Sequence, residues 1–308
     1  MLSPKYNTFL VLCETRSYTK AAEVLCVTQP SVSHHIKALE EELNIELCYF
    51  DDKRKLRLTK AGAILRNYLQ TIQADNRLLI QEMNAANNTI HTLSFGTSPA
   101  VGEILAPALI ASYLEEYPEE QIQHIVDDPS ELLKGIDSGE LEICVADISS
   151  PSTKYVSYPL LNISTSCVAS PDHPLAGKRC DFEDLLEYRL ITEDRSNYYF
   201  RNLTKLMKRN SHSLQEFHRI IEVGNFSTIK KLVRHNVGIA FIDRLAVHQE
   251  LKNGKLSEIR LPYFSTLRPL NVIWMKNSYF HKRNEQFLRI CQQVIQPSRI
   301  SEILAQYE

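Results

Sequence analysis

Long apolar runs are missing from this 308-residue chain. No stretch approaches the ~20 apolar residues that a membrane-spanning helix needs, and the first residues lack the apolar core of a signal peptide. We therefore expect no contact with a membrane and a cytoplasmic location. Hydrophobic residues make up 44% of the chain and charged residues 23%, which is typical of an ordinary globular protein with two or three compact units.

Cysteine and histidine patterns that would indicate a metal or a catalytic centre are also missing. The seven cysteines occur without Cys-x-x-Cys spacing and without histidines at metal-ligand intervals. No nucleophile stands at a recognisable spacing from a base. The sequence therefore predicts reduced thiols, no metal, no cofactor and no enzymatic activity.

A positive charge excess is absent as well. The net charge is −2, and residues 1–60 hold nine Lys and Arg against eight Asp and Glu. This balance argues against a general nucleic-acid coat, but charge can still be concentrated locally. Lys53, Arg54, Lys55 and Arg57 lie together, far in the sequence from the acidic run Glu40 to Glu42.

What the first sixty residues do contain is a helix-turn-helix pattern. A helix beginning near Thr28 would bury one apolar stripe and expose the opposite face. The stripe consists of Val32, Ile36, Leu39 and Leu43, and the exposed face of Pro30, Ser33, His34, Lys37 and Glu41. Thr28 is placed to cap the helix, and Pro30 is tolerated in its first turn. An alanine-rich helix, Thr19 to Leu25, precedes it, and Asp51 to Leu58 has the pattern of a basic two-stranded wing.

These residues resemble the N-terminal winged helix-turn-helix of LysR-type transcriptional regulators. The resemblance covers about sixty residues with almost no gap. It rests on Phe9-Leu10, Ala21 to Leu25, Thr28 to Ser33, Ile36, Leu39 to Leu43 and Leu58 to Gly62. Two departures occur: Asn44 stands where the family usually has glycine, and Leu47 to Phe50 replaces a Leu-Phe-x-Arg run.

The resemblance implies sequence-specific binding to double-stranded DNA at an interrupted palindrome. Glutamine can pair with adenine, serine is ambiguous, and proline offers only contact with a thymine methyl group. The predicted DNA-binding residues are Gln29, Pro30, Ser31, Ser33, His34, Lys37, Lys53, Arg54 and Arg57. Of these, the lysines and arginines are expected on phosphates. His35 lies nearer the buried side and could simply fill space.

Residues 61–90 are predicted to form a linker. Between Thr59 and about Asn88 the chain has no proline, and Leu65, Leu69, Ile72, Leu79 and Met83 recur near heptad spacing. Such a stripe either pairs two chains or packs on its own domain. The resemblance favours pairing, as a homodimer or homotetramer, which would set two recognition helices about one DNA turn or a multiple apart. Asn84 to His91 is predicted to be a hinge.

Residues 91–308 alternate strands with helices, which predicts an α/β domain with a parallel sheet flanked on both sides. Predicted strands are Thr92–Gly96, Gln121–Val126, Leu141–Ala146, Ile163–Ala169, Leu190–Thr192, Phe217–Val223, Ile239–Ile242 and Asn271–Met275. Predicted helices include Gly102–Glu116, Pro129–Ser138, Tyr199–Lys208, Ser227–His235 and Tyr279–Ile295, with Asp147 to Pro159 crossing between two lobes.

This half also resembles the LysR family, in its two-lobed, periplasmic-binding-protein-like effector domain. The resemblance is carried by Ser170 to Leu175 and by Gly238-Ile239-Ala240. The predicted division is lobe I at about 91–161 and 268–308, and lobe II at about 162–267. In other family members the effector changes lobe closure and thereby contact with RNA polymerase, so both a small-molecule effector and polymerase are expected partners.

Ligands of open α/β sheets bind beyond the carboxyl ends of strands, near helix N-termini. The predicted effector-binding residues are Thr97, Ser98, Pro99, Thr165, Thr192, Asn225 and Phe226. Each hydroxyl has an alternative role as a helix cap or turn former. Donors at helix starts favour a small anion, whereas Glu193, Asp194 and Asp243 could instead bind an amine.

Three further alternatives stay open at this point. A transport-type binding protein would share the two lobes but lack the winged domain. A repressor that needs no effector would share the whole architecture. Some LysR-type relatives sense oxidants with thiols in this half, so Cys167 and Cys180 are candidates for a redox switch.

Overall fold

The computed structural model describes residues 3–86, 92–148, 151–262, 264 and 266–296. The helices are α1 Pro4–Thr15, α2 Tyr18–Leu25, α3 Gln29–Leu43, α4 Lys60–Ala86, α5 Pro99–Ile104, α6 Ala106–Glu116, α7 Pro129–Ser138, α8 Tyr198–Arg209, α9 Phe226–Arg234, α10 His248–Lys252 and α11 His281–Val294. The strands are β1 Cys48–Phe50, β2 Leu56–Leu58, β3 Thr92–Thr97, β4 Gln121–Val126, β5 Ile143–Ala146, β6 Tyr155–Ile163, β7 Thr165–Ala169, β8 Leu190–Glu193, β9 Ile220–Val223, β10 Ala240–Asp243, β11 Ser257–Ile259 and β12 Arg268–Met275.

Helices α1 to α3 and the β1–β2 hairpin form the predicted winged helix-turn-helix. Its core contains Phe9, Ala21 and Leu39, all fully buried. The small Ala21 side chain lets α2 lie close to its neighbours, and Cys26 adopts a left-handed conformation (φ 54°) that ends α2 before the turn. The antiparallel hairpin pairs Cys48 with Leu58, which confirms the wing.

Lobe I contains a five-stranded sheet in the order β4-β3-β5-β12-β6. Strands β3, β4 and β5 are parallel, as predicted. The expectation of a wholly parallel sheet was wrong, because β12 runs antiparallel to both β5 and β6. The predicted crossover over residues 147–159 was also too long, since β6 already begins at Tyr155; residues 149 and 150 lie outside the described part.

Lobe II is built from the antiparallel sheet β10-β7-β11 and the parallel pair β8-β9. The strand predicted over Ile163–Ala169 is divided: β6 ends at Ile163 in lobe I, and β7 begins at Thr165 in lobe II. The predicted helix Gly102–Glu116 is likewise two helices, α5 and α6. The second begins at Ala106 and has Pro107 in its first turn, where backbone N–H groups have no partner within the helix and proline therefore costs no hydrogen bond.

The long helix α4 is shared between the two halves of the chain. Leu65 and Leu69 pack on the winged domain's core, whereas Ala74 and Leu78 are buried farther along the helix. A separate stripe of exposed apolar side chains consists of Ile64, Tyr68, Ile72, Leu79, Ile80 and Met83. Of the predicted stripe, Leu65 and Leu69 therefore pack within the chain, whereas Ile72, Leu79 and Met83 are exposed. Helix α4 continues through Ala86 into the predicted hinge, whose residues 87–91 lie outside the described range.

No helix in the described part of the chain is long and apolar enough to cross a membrane.

Candidate functional site

The first candidate surface is the exposed face of α3. Thr28 caps this helix by accepting a hydrogen bond from the Ser31 backbone N–H at 3.3 Å, and the Thr28 and Ser31 hydroxyls lie 2.8 Å apart. Burial of Val32, Ile36 and Leu39 fixes the rotation of the helix. Five predicted DNA-binding residues are consequently exposed on α3: Gln29, Pro30, Ser33, His34 and Lys37. Ser31 is half-buried and engaged in the cap.

The wing carries the second part of this surface. One Asp51 carboxylate oxygen accepts hydrogen bonds from the backbone N–H groups of Lys53 (3.0 Å) and Lys55 (2.8 Å), and the other accepts from Arg57 Nε at 2.9 Å. The Lys55 N–H first, and then Arg57, lower the pKa of Asp51. Lys53 and Arg54 remain exposed at the tip. The predicted phosphate contact of Arg57 therefore competes with an ion pair.

The helix and wing are held in a fixed relation by Glu40. Its Oε1 atom accepts hydrogen bonds from the backbone N–H groups of Leu47 (2.7 Å) and Cys48 (3.2 Å). Asn44 ends α3 in the left-handed conformation (φ 51°), which asparagine tolerates better than most residues, so its replacement of the family's usual glycine keeps the turn. His35 Nδ1 lies 2.9 Å from the Thr8 hydroxyl and serves packing within the domain.

A buried charge cluster joins the two lobes where β12 begins. Arg268 Nη2 lies 2.5 Å from Asp243 Oδ1, and its Nε lies 3.3 Å from Asp147 Oδ2. The Thr165 hydroxyl donates to Asp243 at 2.9 Å, and the Tyr198 hydroxyl donates to Asp147 at 2.9 Å. Burial raises the pKa of Asp147, and Arg268 opposes that shift.

The predicted effector residues fall into different environments. Thr97 bonds His124 Nε2 at 2.8 Å, and Thr165 belongs to the Arg268 cluster. Asn225 caps α9 by accepting from the Thr228 N–H at 2.9 Å, the alternative role noted for such residues. Ser98 and Pro99 lie at the start of α5, and Phe226 packs against the Tyr199 ring. Thr192 is a buried residue of β8, and its hydroxyl has no hydrogen-bond partner within the described residues.

A cavity of about 420 Å³ opens between the lobes. The start of α7 and the end of β5 form one side, α8 forms the other, and Arg268 lies at its base. None of the seven predicted effector residues lines it. Sequence reasoning missed three basic residues of α8 that do, namely Arg201, Lys205 and Arg209. Their i, i+4, i+8 spacing within the predicted helix Tyr199–Lys208 and the residue after it was the available signal.

The environment of the two cysteines considered for redox sensing disfavours the thiolate form. Burial raises the pKa of Cys167 well above the ordinary value, and burial also raises the pKa of Cys180. A thiolate is the reactive form, so both shifts oppose oxidation.

Comparison with known proteins decides the family. A model described as "Bacterial regulatory helix-turn-helix protein, lysR family" matches residues 5–63, and one described as "LysR substrate binding domain" matches residues 86–296. The chain belongs to the LysR family. Members of the LysR family are transcriptional regulators and not enzymes.

Several curated relatives share one description, probable RuBisCO transcriptional regulator. The chain is 29% identical over 292 residues to a probable RuBisCO transcriptional regulator of Cyanidioschyzon merolae, covering 91% of this chain and 92% of the relative. It is 26% identical over 283 residues to a probable RuBisCO transcriptional regulator of Synechocystis, covering 89% and 80%.

Solved structures of LysR-type proteins are similar over nearly the whole chain. A cysteine mutant of Corynebacterium glutamicum OxyR has a TM-score of 0.57 at 22% identity, covering 98% of this chain and 94% of that one. A point mutant of full-length BenM has a TM-score of 0.58 at 19% identity, covering 96% of each chain. At these identities the similarity shows the fold alone.

Proposed function

We propose that this LysR-type regulator reads DNA with the exposed first turns of α3 and the tip of its wing. Gln29, Pro30, Ser33 and His34 face outward from α3, where base edges of a major groove would lie. Lys37, Lys53 and Arg54 are the phosphate-binding residues. Ser31 acts mainly through the cap, and Arg57 reaches a phosphate by exchanging its bond with Asp51. The single observation that supports this assignment best is the joint exposure of these side chains on one winged domain.

We infer that two chains pair through the exposed stripe of α4. The apolar surface of this stripe recurs at roughly helical spacing and consists of Ile64, Tyr68, Ile72, Leu79, Ile80 and Met83. A homodimer covers this surface, and a homotetramer pairs two such dimers. Two recognition helices then contact half-sites of an interrupted palindrome. Cytoplasmic location and contact with RNA polymerase follow from a role at promoters.

The domain boundaries that accompany this proposal are residues 1–60, 61–90 and 91–308. Lobe I takes residues 91–161 and 268–308, and lobe II takes residues 162–267. The chain leaves the lobe I sheet at the end of β6, Ile163, and returns to it at the start of β12, Arg268, which supports the two inner boundaries. Residues 297–308 lie outside the described residues. A small molecule bound between the lobes alters their closure and, through α4, the spacing of the recognition helices.

Selection of genomic fragments by the purified protein, followed by footprinting at moderate salt, tests this function. We expect enrichment of an interrupted palindrome beside a promoter, with protection on one face of the DNA. If the folded dimer enriches no fragment over random DNA, the sequence-specific reading of α3 is wrong.

A further inference from the structure

The cavity between the lobes has a basic wall formed by one face of α8. Three basic residues that recur every four positions line the cavity, namely Arg201, Lys205 and Arg209. The apolar Leu206 lines it beside them. Their spacing brings the three cationic side chains onto one side of the helix. Lys208 lies between them in sequence but does not line the cavity.

Only part of this positive charge is neutralised by the protein. Arg201 forms an ion pair with Asp128 across the cavity, and Arg268 at the base is paired with Asp147 and Asp243. Lys205 and Arg209 have no acidic partner within the residues that the structure describes. The lining holds four basic and two acidic side chains, and Asp243, outside the lining, is a further partner of Arg268. The positive charge left without an acidic partner among the described residues therefore lies at Lys205 and Arg209.

The opposite wall offers hydrogen-bond donors. Helix α7 begins there with Pro129, and the next residue, Ser130, is exposed and lines the cavity. Its hydroxyl makes no hydrogen bond within the described part of the chain. In the first turn Pro129 has no N–H, and the N–H groups of Glu131 and Leu132 bond the Asp128 carbonyl, which leaves the Ser130 N–H as the donor at this end. The start of a ten-residue helix also carries a partial positive charge, which favours an anion.

The base of the cavity is polar but internally compensated. Tyr198 donates to Asp147, which also faces Arg268. Arg268 Nε is buried, and although it lies 3.3 Å from Asp147 Oδ2 it makes no hydrogen bond in that geometry. This donor belongs to a side chain that is more than nine-tenths buried, and it has a charge contact with Asp147 but no hydrogen-bond acceptor. A hydroxyl or carbonyl oxygen of a ligand at the base would supply that acceptor.

We propose that the cavity binds a phosphate monoester of a small hydroxylated molecule. The phosphate lies between Lys205, Arg209 and the start of α7 near Ser130, and the hydroxylated part faces Tyr198 and Arg268. A dianionic phosphate matches two uncompensated cations and a helix N-terminus, whereas a single carboxylate would leave one cation unpaired. A volume of about 420 Å³ suits a sugar phosphate or a mononucleotide. This ligand class rests on the proposed function of the cleft as the effector site.

The amine alternative has less support from the same geometry. Glu193 and Asp194 do not line this cavity, and Asp194 accepts hydrogen bonds from Ser196. Asp243 is occupied by Arg268 and Thr165. The acidic side chains that favoured an amine in the sequence are therefore already engaged or directed elsewhere.

Calorimetry on the full-length protein in phosphate-free buffer tests the proposal. The probes are ribose 5-phosphate and AMP, each compared with ribose or adenosine, together with inorganic phosphate and pyrophosphate. We expect at least one ester to bind about tenfold or more tightly than its dephosphorylated partner. Lys205→Ala and Arg209→Ala should each weaken that binding about tenfold, whereas Lys208→Ala, on the same helix outside the cavity, should leave it unchanged.

Two results would overturn the ligand class: equal affinity for an ester and its dephosphorylated partner, or no binding of any phosphorylated probe at about 1 mM. Wild-type affinity in both Lys205→Ala and Arg209→Ala would overturn the assigned position. Footprinting of the same samples separates this outcome from failure of the proposed function, because a protein that protects its operator but ignores phosphate esters retains the regulator role and loses only this ligand.

Discussion

The Ser278 hydroxyl donates a hydrogen bond to the Asp75 carboxylate at 2.6 Å, joining the middle of α4 to the loop that precedes α11. The second Asp75 oxygen accepts from the Tyr279 backbone N–H at 2.8 Å. One turn earlier, the Thr71 hydroxyl donates to the Lys276 carbonyl at 3.3 Å. Helix α4 is thus joined directly to lobe I by side-chain hydrogen bonds.

Asp75→Ala should loosen this attachment. Two hydrogen bonds to a charged acceptor are lost, and a loss of about 1–3 kcal/mol in the local opening free energy is expected. Hydrogen exchange at the Tyr279 amide, which loses its acceptor, should accelerate accordingly. Gln73→Ala, at an exposed position of the same helix, is the matched control. Unchanged exchange at Tyr279 in Asp75→Ala would show that the contact does not hold the helix.

Gln29→Ala should weaken binding to the selected operator more than binding to random DNA. A lost bidentate contact with adenine corresponds to about 1–3 kcal/mol of discrimination. The comparison variant is Arg54→Asn, because Arg54 has a φ of 56° that asparagine tolerates and alanine does not. It should weaken both DNAs equally and lower the salt slope by about one. Titrations at several salt concentrations measure both effects; equal losses for Gln29→Ala would refute its base-reading role.

Gly62→Ala should destabilise the winged domain, although alanine ordinarily favours a helix over glycine. A Cβ atom at this position would lie 2.0 Å from the Leu47 carbonyl oxygen, so the start of α4 and the wing must move apart. We expect a loss of about 2 kcal/mol or more, measured as a lower urea midpoint. Gly224→Ala, where an added Cβ meets nothing within 4 Å, is the control and should be nearly neutral. Equal midpoints for the two variants would contradict the close approach.

Glu193→Gln should remove part of the pH dependence of stability. Burial raises the pKa of Glu193 to about 7, with the Glu103 charge adding to the shift. In the unfolded chain the carboxyl loses its proton near pH 4.5, so between pH 4.5 and 7 the folded protein binds the extra proton. The stabilisation contributed by this group is therefore fully present below the unfolded-state pKa of 4.5, and it is lost as the pH rises through the folded-state pKa of about 7.

Between pH 5 and pH 8, Glu193 should lower the free energy of unfolding of the wild type by about 2–3 kcal/mol. The Glu193→Gln variant should lack this contribution. Urea unfolding at a series of pH values measures it. Glu187→Gln, at an exposed position of the same lobe, should keep the wild-type profile. Parallel profiles for Glu193→Gln and wild type would show that Glu193 has an ordinary pKa.

The sequence by itself determined the winged domain and the type of most elements, because their signals are local. The buried stripe of α3, its Thr28 cap and the basic wing are all set by residues within a few positions of one another. The same is true of α7 and β4, which cover the predicted residues. Their side chains face outward or inward according to helical or strand periodicity alone.

The tertiary structure alone decided which polar groups are available to a ligand. The Thr97 hydroxyl is hydrogen-bonded to His124. The Thr165 hydroxyl is hydrogen-bonded to Asp243, which lies 78 residues farther along the chain. The antiparallel direction of β12 depends on its return from lobe II, which no local pattern encodes. The basic face of α8 lines a cavity only because the start of α7 lies opposite it. These two walls come from segments about seventy residues apart, so no local pattern predicts the site.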